Sequence, residues 1–320
     1  MIHPRFRKFT AAVFCAVLAA ALSVATAQEK AAEKAEETKG TKKAEQKPSF
    51  LRLARIGEKA PTALEVAIVR LRPTDKSKKG PVVDLIGAVH VAEQSYYRQL
   101  NKEFEKYDVV LYELVAPEGT RVPKGGGGGS GSPVSALQGG MKNMLELSFQ
   151  LEEIDYTRKN MVHADMSPEQ FSEKMRERGE SVLSMFLRMM GYALAKQNKA
   201  GGGSSDMQLL MALFDKNRAL ALKRVMAEQM EDMEGMLSGL EGPDGSTIIS
   251  ERNKVALEVL RKQIAAGKQK IAIFYGAGHM LDFQKRLADQ FGMAPVNTRW
   301  LVAWNLKDPK KPAKKDDRKP

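Results

Sequence analysis

A chain of 320 residues is long enough for one large domain or two small ones. Its one cysteine, Cys15, falls in the N-terminal segment set aside below, so disulfides, thiol catalysis, and cysteine-built zinc or iron–sulfur sites are excluded from the rest. The formal net charge of +12 is weighted towards the chain ends, with seven basic and three acidic residues between Lys307 and Pro320, so nucleic acid is not an expected partner.

In chain order, Arg5, Arg7 and Lys8 precede an apolar run from Thr10 to Val24, and Ala25-Thr-Ala27 follows as a small-x-small cleavage site. This predicts a signal peptide over residues 1–27 and an exported protein, periplasmic or secreted. The apolar run is shorter than the ~20 residues a membrane span needs, and no other stretch is apolar enough, so no span is expected after cleavage. Residues 28–50 are rich in Lys, Glu and Ala and predict a disordered spacer. A folded domain is expected over 51–306 and a disordered basic tail over 307–320. Leu64 to Leu71 alternates and predicts a strand. The short loop Asp75 to Gly80 makes it antiparallel to the strand that follows.

The stretch from Val82 to Glu113 reads as a β-α-β unit. An apolar run ends in Gly87-Ala-Val-His90, and Val91, Tyr96, Tyr97, Leu100 and Phe104 have helical spacing. A second apolar run, Asp108 to Tyr112, leads into Glu113. Strands this apolar belong inside a parallel sheet, whose ligand crevice lies beyond the strands' carboxyl ends. Two glycine runs, at residues 125–131 and 201–203, read as flexible linkers. Helices are expected over Met141–Glu153, Pro168–Arg178, Ser181–Gln197, Met207–Met236 and Ile249–Ala266, with Ser167 capping the second of these. Residues 134–247 would thus form a Met-rich helical insertion, whose methionines serve as core packing or line a plastic groove for a peptide or apolar ligand. Near the C-terminus the pattern returns. Ile271 to Tyr275 runs into Gly276-Ala-Gly-His279, a helical stretch spans Leu281 to Phe291, and a strand-like run spans Thr298 to Trp304. The fold class is α/β, with α+β as the alternative: two β-α-β halves in a mixed sheet plus the insertion.

Two strand-end histidines and a glutamate suit a first-row divalent metal, because two imidazole nitrogens and one carboxylate leave positions open for water and substrate. Gly87 and Gly276 permit close backbone approach to whatever the histidines hold. Asp165, ending a short β-like piece before a capped helix, is a further candidate ligand or a partner orienting an imidazole; a plain loop aspartate is the alternative. His163 reads as structural. Arg252 suits a substrate carboxylate or an oxyanion, or else a surface ion pair.

Together, Gly87-Ala-Val-His90, Val109-Val-Leu-Tyr-Glu113, Glu251-Arg252-Asn253 and Gly276-Ala-Gly-His279 resemble the TraB/PrgY/GumN family. That family includes the Tiki proteins and belongs to a wider superfamily with ChaN and the erythromycin esterases. The resemblance covers roughly Ala63 to Leu306 and is weakest in the Met-rich middle. It implies paired β-α-β halves and a metal-dependent peptidase using manganese or cobalt, with zinc or iron as alternatives. It further implies His90 and His279 as ligands, Glu113 as ligand or general base, and Arg252 as a substrate or transition-state contact. Three functions follow: an exported metallohydrolase acting on peptide or protein, a non-catalytic binder of a peptide or haem-like ligand, and a metal-free esterase-like hydrolase. Nothing in the sequence specifies an oligomeric state.

Overall fold

The computed structural model describes residues 49–308 apart from 57–60, 76, 78–79, 121, 126–143, 182–183, 185–203 and 241–244. The predicted signal peptide, nearly all of the spacer, most of the glycine runs, nearly all of the Ser181–Gln197 helix and nearly all of the basic tail lie outside those residues. In chain order the strands are β1 (Leu51–Arg55), β2 (Pro61–Pro73), β3 (Val82–Ala88), β4 (Val91–Ala92), β5 (Val109–Tyr112), β6 (Ser148–Phe149), β7 (Met161–His163), β8 (Lys270–Gly276) and β9 (Met293–Asn305). The helices are α1 (Gln94–Phe104), α2 (Gln150–Glu153), α3 (Pro168–Glu177), α4 (Ser204–Leu213), α5 (Arg218–Leu240), α6 (Arg252–Ala265) and α7 (Met280–Phe291). A π-helical turn, Thr247–Glu251, leads into α6, and a 3-10 turn, Ala277–His279, joins β8 to α7.

The fold is α/β around a mixed sheet. Strands β3, β8, β5 and β7 lie side by side and parallel, in that order. On the other side of β3 runs β2, antiparallel to it as the short loop predicted, and β2 also pairs with β1 and β9. Strands β3, β5 and β8 are mostly apolar because both faces are covered: Leu85, Ile86, Val110, Leu111, Ile273 and Phe274 have no exposed surface, and the one buried acid among them, Asp84 of β3, is paired with Arg70 and Tyr107. Helix α1 buries Tyr96, Tyr97, Leu100 and Phe104, the stripe its spacing predicts.

The sequence does not show that β8 enters between β3 and β5. That insertion sets three carboxyl ends side by side: β3 leads to His90, β8 to His279 and β5 to Glu113. The next strand, β7, leads to Asp165. The C-terminal copy differs from a second compact β-α-β, because β9 crosses to the far side of β2 rather than lying next to β8.

Three predicted segments are corrected. The helix expected over Met141–Glu153 is, in its described part, a helical turn, strand β6 and the short α2; Glu146 takes a positive φ of 54°, which a continuing helix does not allow. The helix expected over Met207–Met236 is two helices, broken where the Asp215 carboxylate accepts the Asn217 amide at 2.7 Å. The insertion is also not wholly helical, since β7 within it is a strand of the central sheet. Pro168 starts α3 as predicted: Ser167 Oγ accepts the Gln170 amide, and Gln170 Oε1 accepts the Ser167 amide in return. Among the described residues no helix is long and apolar enough to cross a membrane.

Candidate functional site

Backbone carbonyls tie down each strand end. On the first turn of α1, Tyr96 donates to the Gly87 carbonyl (3.1 Å) and Tyr97 to that of Val89 (3.0 Å). Trp304 Nε1 holds the Val91 carbonyl, and the Gln150 amide donates to that of His90. The Gly87-x-x-His90 turn is thus fixed from three sides, although His90 itself is exposed. His163 sits at the end of β7 with Nε2 2.6 Å from the Leu114 carbonyl, where it pins the residue after Glu113.

Gly276 is where the groups converge. A Cβ there would lie 3.3 Å from Glu113 Oε2, 3.7 Å from His279 Cδ2 and 3.9 Å from His90 Nε2. The backbone at Gly276 is not left-handed (φ −49°), so the glycine serves space rather than conformational freedom. Its amide donates to Glu113 Oε2 at 2.6 Å. On the other oxygen, Oε1, Glu113 receives Arg252 Nη2 at 2.7 Å and faces His279 Nε2 at 3.6 Å.

Arg252 is chelated. Its Nε and Nη2 donate to the two oxygens of Asp165 at 2.9 and 2.6 Å, and Asp165 also takes the Met166 amide. Asp165 thus anchors the arginine, and its partner is the guanidinium rather than an imidazole. The π-helical turn delivers Arg252. The Arg178 guanidinium holds the Gly245 carbonyl (2.7 Å), and the Glu180 carboxylate takes the Thr247 amide (3.0 Å). Nothing in the local sequence marks Arg178 and Glu180 as site-building residues.

Asn253, next in the chain and fully buried, sets the imidazole of His279. Its Nδ2 donates to the His279 carbonyl (3.1 Å) and to Asp282 (2.8 Å), which leaves Oδ1 to accept from His279 Nδ1 at 2.7 Å. The proton therefore sits on Nδ1, and Nε2 presents a lone pair towards Glu113. Asn253→Leu removes this acceptor. It is expected to scramble the ring tautomer, which the nitrogen NMR shifts of His279 report; an unchanged tautomer would show that Asn253 does not set it.

Burial lowers the pKa of His279 to about 4, because the charged ring would lose its hydration; Glu113 opposes this and Arg252 adds to it. For Glu113 burial works upward, but His279, Arg252 and the Gly276 amide outweigh it and hold the carboxyl at about 2. The two effects do not coincide at neutral pH. There the His279 ring is uncharged, and Arg252 and the amide keep Glu113 ionised. Burial opposes the charge of Arg252 too, but Asp165 and Glu113 raise its pKa well above the usual value.

Both shifts have the same sign for stability. His279 favours the neutral ring when folded, so its contribution is complete above 6.5, the unfolded value, and is lost as pH falls from 6.5 towards 4. Glu113 contributes above 4.5 and is lost between 4.5 and 2. Denaturant titrations of metal-free protein are expected to show stability falling below pH 6.5, with the first part of the fall absent in His279→Gln. A flat profile between pH 7 and 4 would contradict this.

A cavity of about 280 Å³ opens onto these groups, with His90, Glu113, Arg252 and His279 in its lining. Among the described residues, no set of three or more His, Cys, Asp or Glu side chains stands ready in metal-ligand geometry. The donor chemistry nevertheless fits a cation. One arginine faces two carboxylates while His279 is neutral, so the buried cluster carries one net negative charge at neutral pH, and an imidazole lone pair faces a carboxylate oxygen with no proton between them. A scan against protein-family models finds no match to this chain, and searches of curated proteins and of solved structures find none either.

Proposed function

We propose that this protein is an exported, divalent-metal-dependent hydrolase of the TraB/PrgY/GumN kind, a Tiki-like peptidase whose ion is held by His90, His279 and Glu113. The observation that carries the reading is the buried surplus of negative charge beside the Nε2 lone pair of His279. Such an ion would supply Lewis acidity towards a scissile carbonyl and would acidify nearby water. The resemblance favours manganese or cobalt.

The chain's own residues have separable tasks. With its pKa at about 2, Glu113 suits a permanent anion better than a proton shuttle. Asp165 holds Arg252 rigid. On the guanidinium, Nη1 makes only a long contact to the Ile248 carbonyl (3.4 Å), so it keeps donor capacity for a substrate carbonyl or the oxyanion that develops from it. Asn253 fixes the tautomer that leaves His279 Nε2 available to the ion.

The test is incubation of the mature protein with a complex peptide mixture, read by mass spectrometry, after chelation and after readdition of manganese, cobalt or zinc. Cleavage that disappears with chelator, returns with an ion and is absent from His279→Ala is the expected result. No cleavage with any ion would overturn the reading. Cleavage indifferent to chelation would replace it with a metal-free, esterase-like hydrolase.

A further inference from the structure

Apart from His90, Glu113, Arg252 and His279, the cavity is lined by glycine and apolar residues. Its wall combines Leu51 from β1, Val89 before His90, Ala277 after β8, Ile248 and Ile249 from the π-helical turn, and Met230 from α5. These come from five separate parts of the chain, and each presents hydrocarbon. The charged side chains that line it are occupied with one another: Arg252 is held by Asp165 and Glu113, and Glu113 by Arg252 and the Gly276 amide. Among the described residues, no charged side chain other than Glu113 and Arg252 lines the cavity, beside the imidazoles of His90 and His279. A charged substrate side chain placed there would lose its hydration and find no partner, whereas an apolar one would be sheltered from water.

At about 280 Å³ the cavity lies at the lower end of ligand pockets, the scale of one bulky side chain with its adjoining amide rather than of a long peptide or a macrocycle. The π-helical turn links the apolar lining to the charged groups. The same five residues that set Ile248 and Ile249 into the wall deliver Arg252 to Glu113, so side-chain recognition and carbonyl contact are built on one rigid piece. Met230 adds an unbranched, adaptable side chain to the wall, which suits Leu, Met and Phe alike.

We infer that this apolar chamber is a specificity pocket that selects peptide substrates by a bulky uncharged side chain, of the Leu, Met or Phe type, next to the bond that is cut. The inference rests on the peptidase reading for its consequence, but the pocket's selectivity can be measured without turnover.

The experiment has two arms. In the first, N-acetyl-leucinamide, N-acetyl-lysinamide and N-acetyl-glutamic acid amide are titrated into metal-free wild-type protein and into Met230→Glu, with binding read by NMR line broadening and shift changes. The wild type is expected to bind the leucine compound at least ~10-fold more tightly than either charged one, and Met230→Glu to lose that preference. In the second arm, a positional peptide library is digested in the presence of manganese, and Leu, Met and Phe are expected beside the cut sites. Apolar-selective binding without any cleavage would uphold the pocket and overturn the peptidase reading. Cleavage with no apolar preference would overturn the pocket and leave the peptidase standing. Equal binding of the three compounds, or binding of none, would overturn the pocket as well.

Discussion

Arg252→Gln is expected to destabilise the fold by about 3–5 kcal/mol, a large share of the 5–15 kcal/mol that holds a domain together. The guanidinium is the single cation between Asp165 and Glu113, and each of these carboxylates directs an oxygen at it from within 2.7 Å. Glutamine keeps much of the side-chain volume but removes the charge and most of the donors. Two desolvated carboxylates would then face a neutral amide, and one of them would have to take up a proton. Urea denaturation at neutral pH measures the loss. Adding Asp165→Asn to Arg252→Gln removes one of the two uncompensated charges and is expected to recover part of it. Stability unchanged within about 0.5 kcal/mol in the single variant would contradict the placement of Arg252 as the neutralising group.

Gly276→Ala is the complementary case, with a large effect on the site and a small one on the fold. The new methyl group would occupy the space between Glu113 Oε2 and the two imidazoles. Alanine adopts the backbone of Gly276 without strain, and the amide bond to Glu113 is kept, so unfolding is expected within about 1 kcal/mol of wild type. Ion affinity and peptide cleavage are expected to fall by at least ~100-fold, because sub-ångström displacement of paired donors is poorly tolerated. Wild-type ion binding in Gly276→Ala would show that any bound cation sits elsewhere.

How far the sequence revealed this arrangement depended on the range of the interactions. The strands that carry the site were legible because they are short, mostly apolar runs, and α1 because Tyr96, Tyr97, Leu100 and Phe104 keep a helical period. Both Gly-x-x-His motifs appeared as strand exits and are such exits. Strand order was not legible: whether β8 lies beside β3, β5 or both is decided by packing across more than 150 residues, and no local pattern encodes it. The same limit hid the Arg252–Asp165 pair, 87 residues apart in the chain, so Asp165 looked like a free carboxylate available to a metal. Asn253 was visible in the Glu251-Arg-Asn253 motif, but its bond to His279 was not. The misplaced helix near residue 146 failed because β6 takes its pairing from Val91 and Ala92, a tertiary demand that overrides helix propensity. Strand β1 follows a polar spacer and alternates over only five residues, with Leu51 and Leu53 buried against β2.

Elemental mass spectrometry of the purified protein, beside the His90→Ala/His279→Ala double variant, tests most directly whether the cluster of His90, Glu113 and His279 holds a divalent cation. Near-stoichiometric manganese, cobalt, iron or zinc in the wild type, absent from a double variant that remains folded by circular dichroism, is the predicted result. No metal in the wild type after incubation with each ion would contradict the claim, and the buried negative charge of the cluster would then require another counterion.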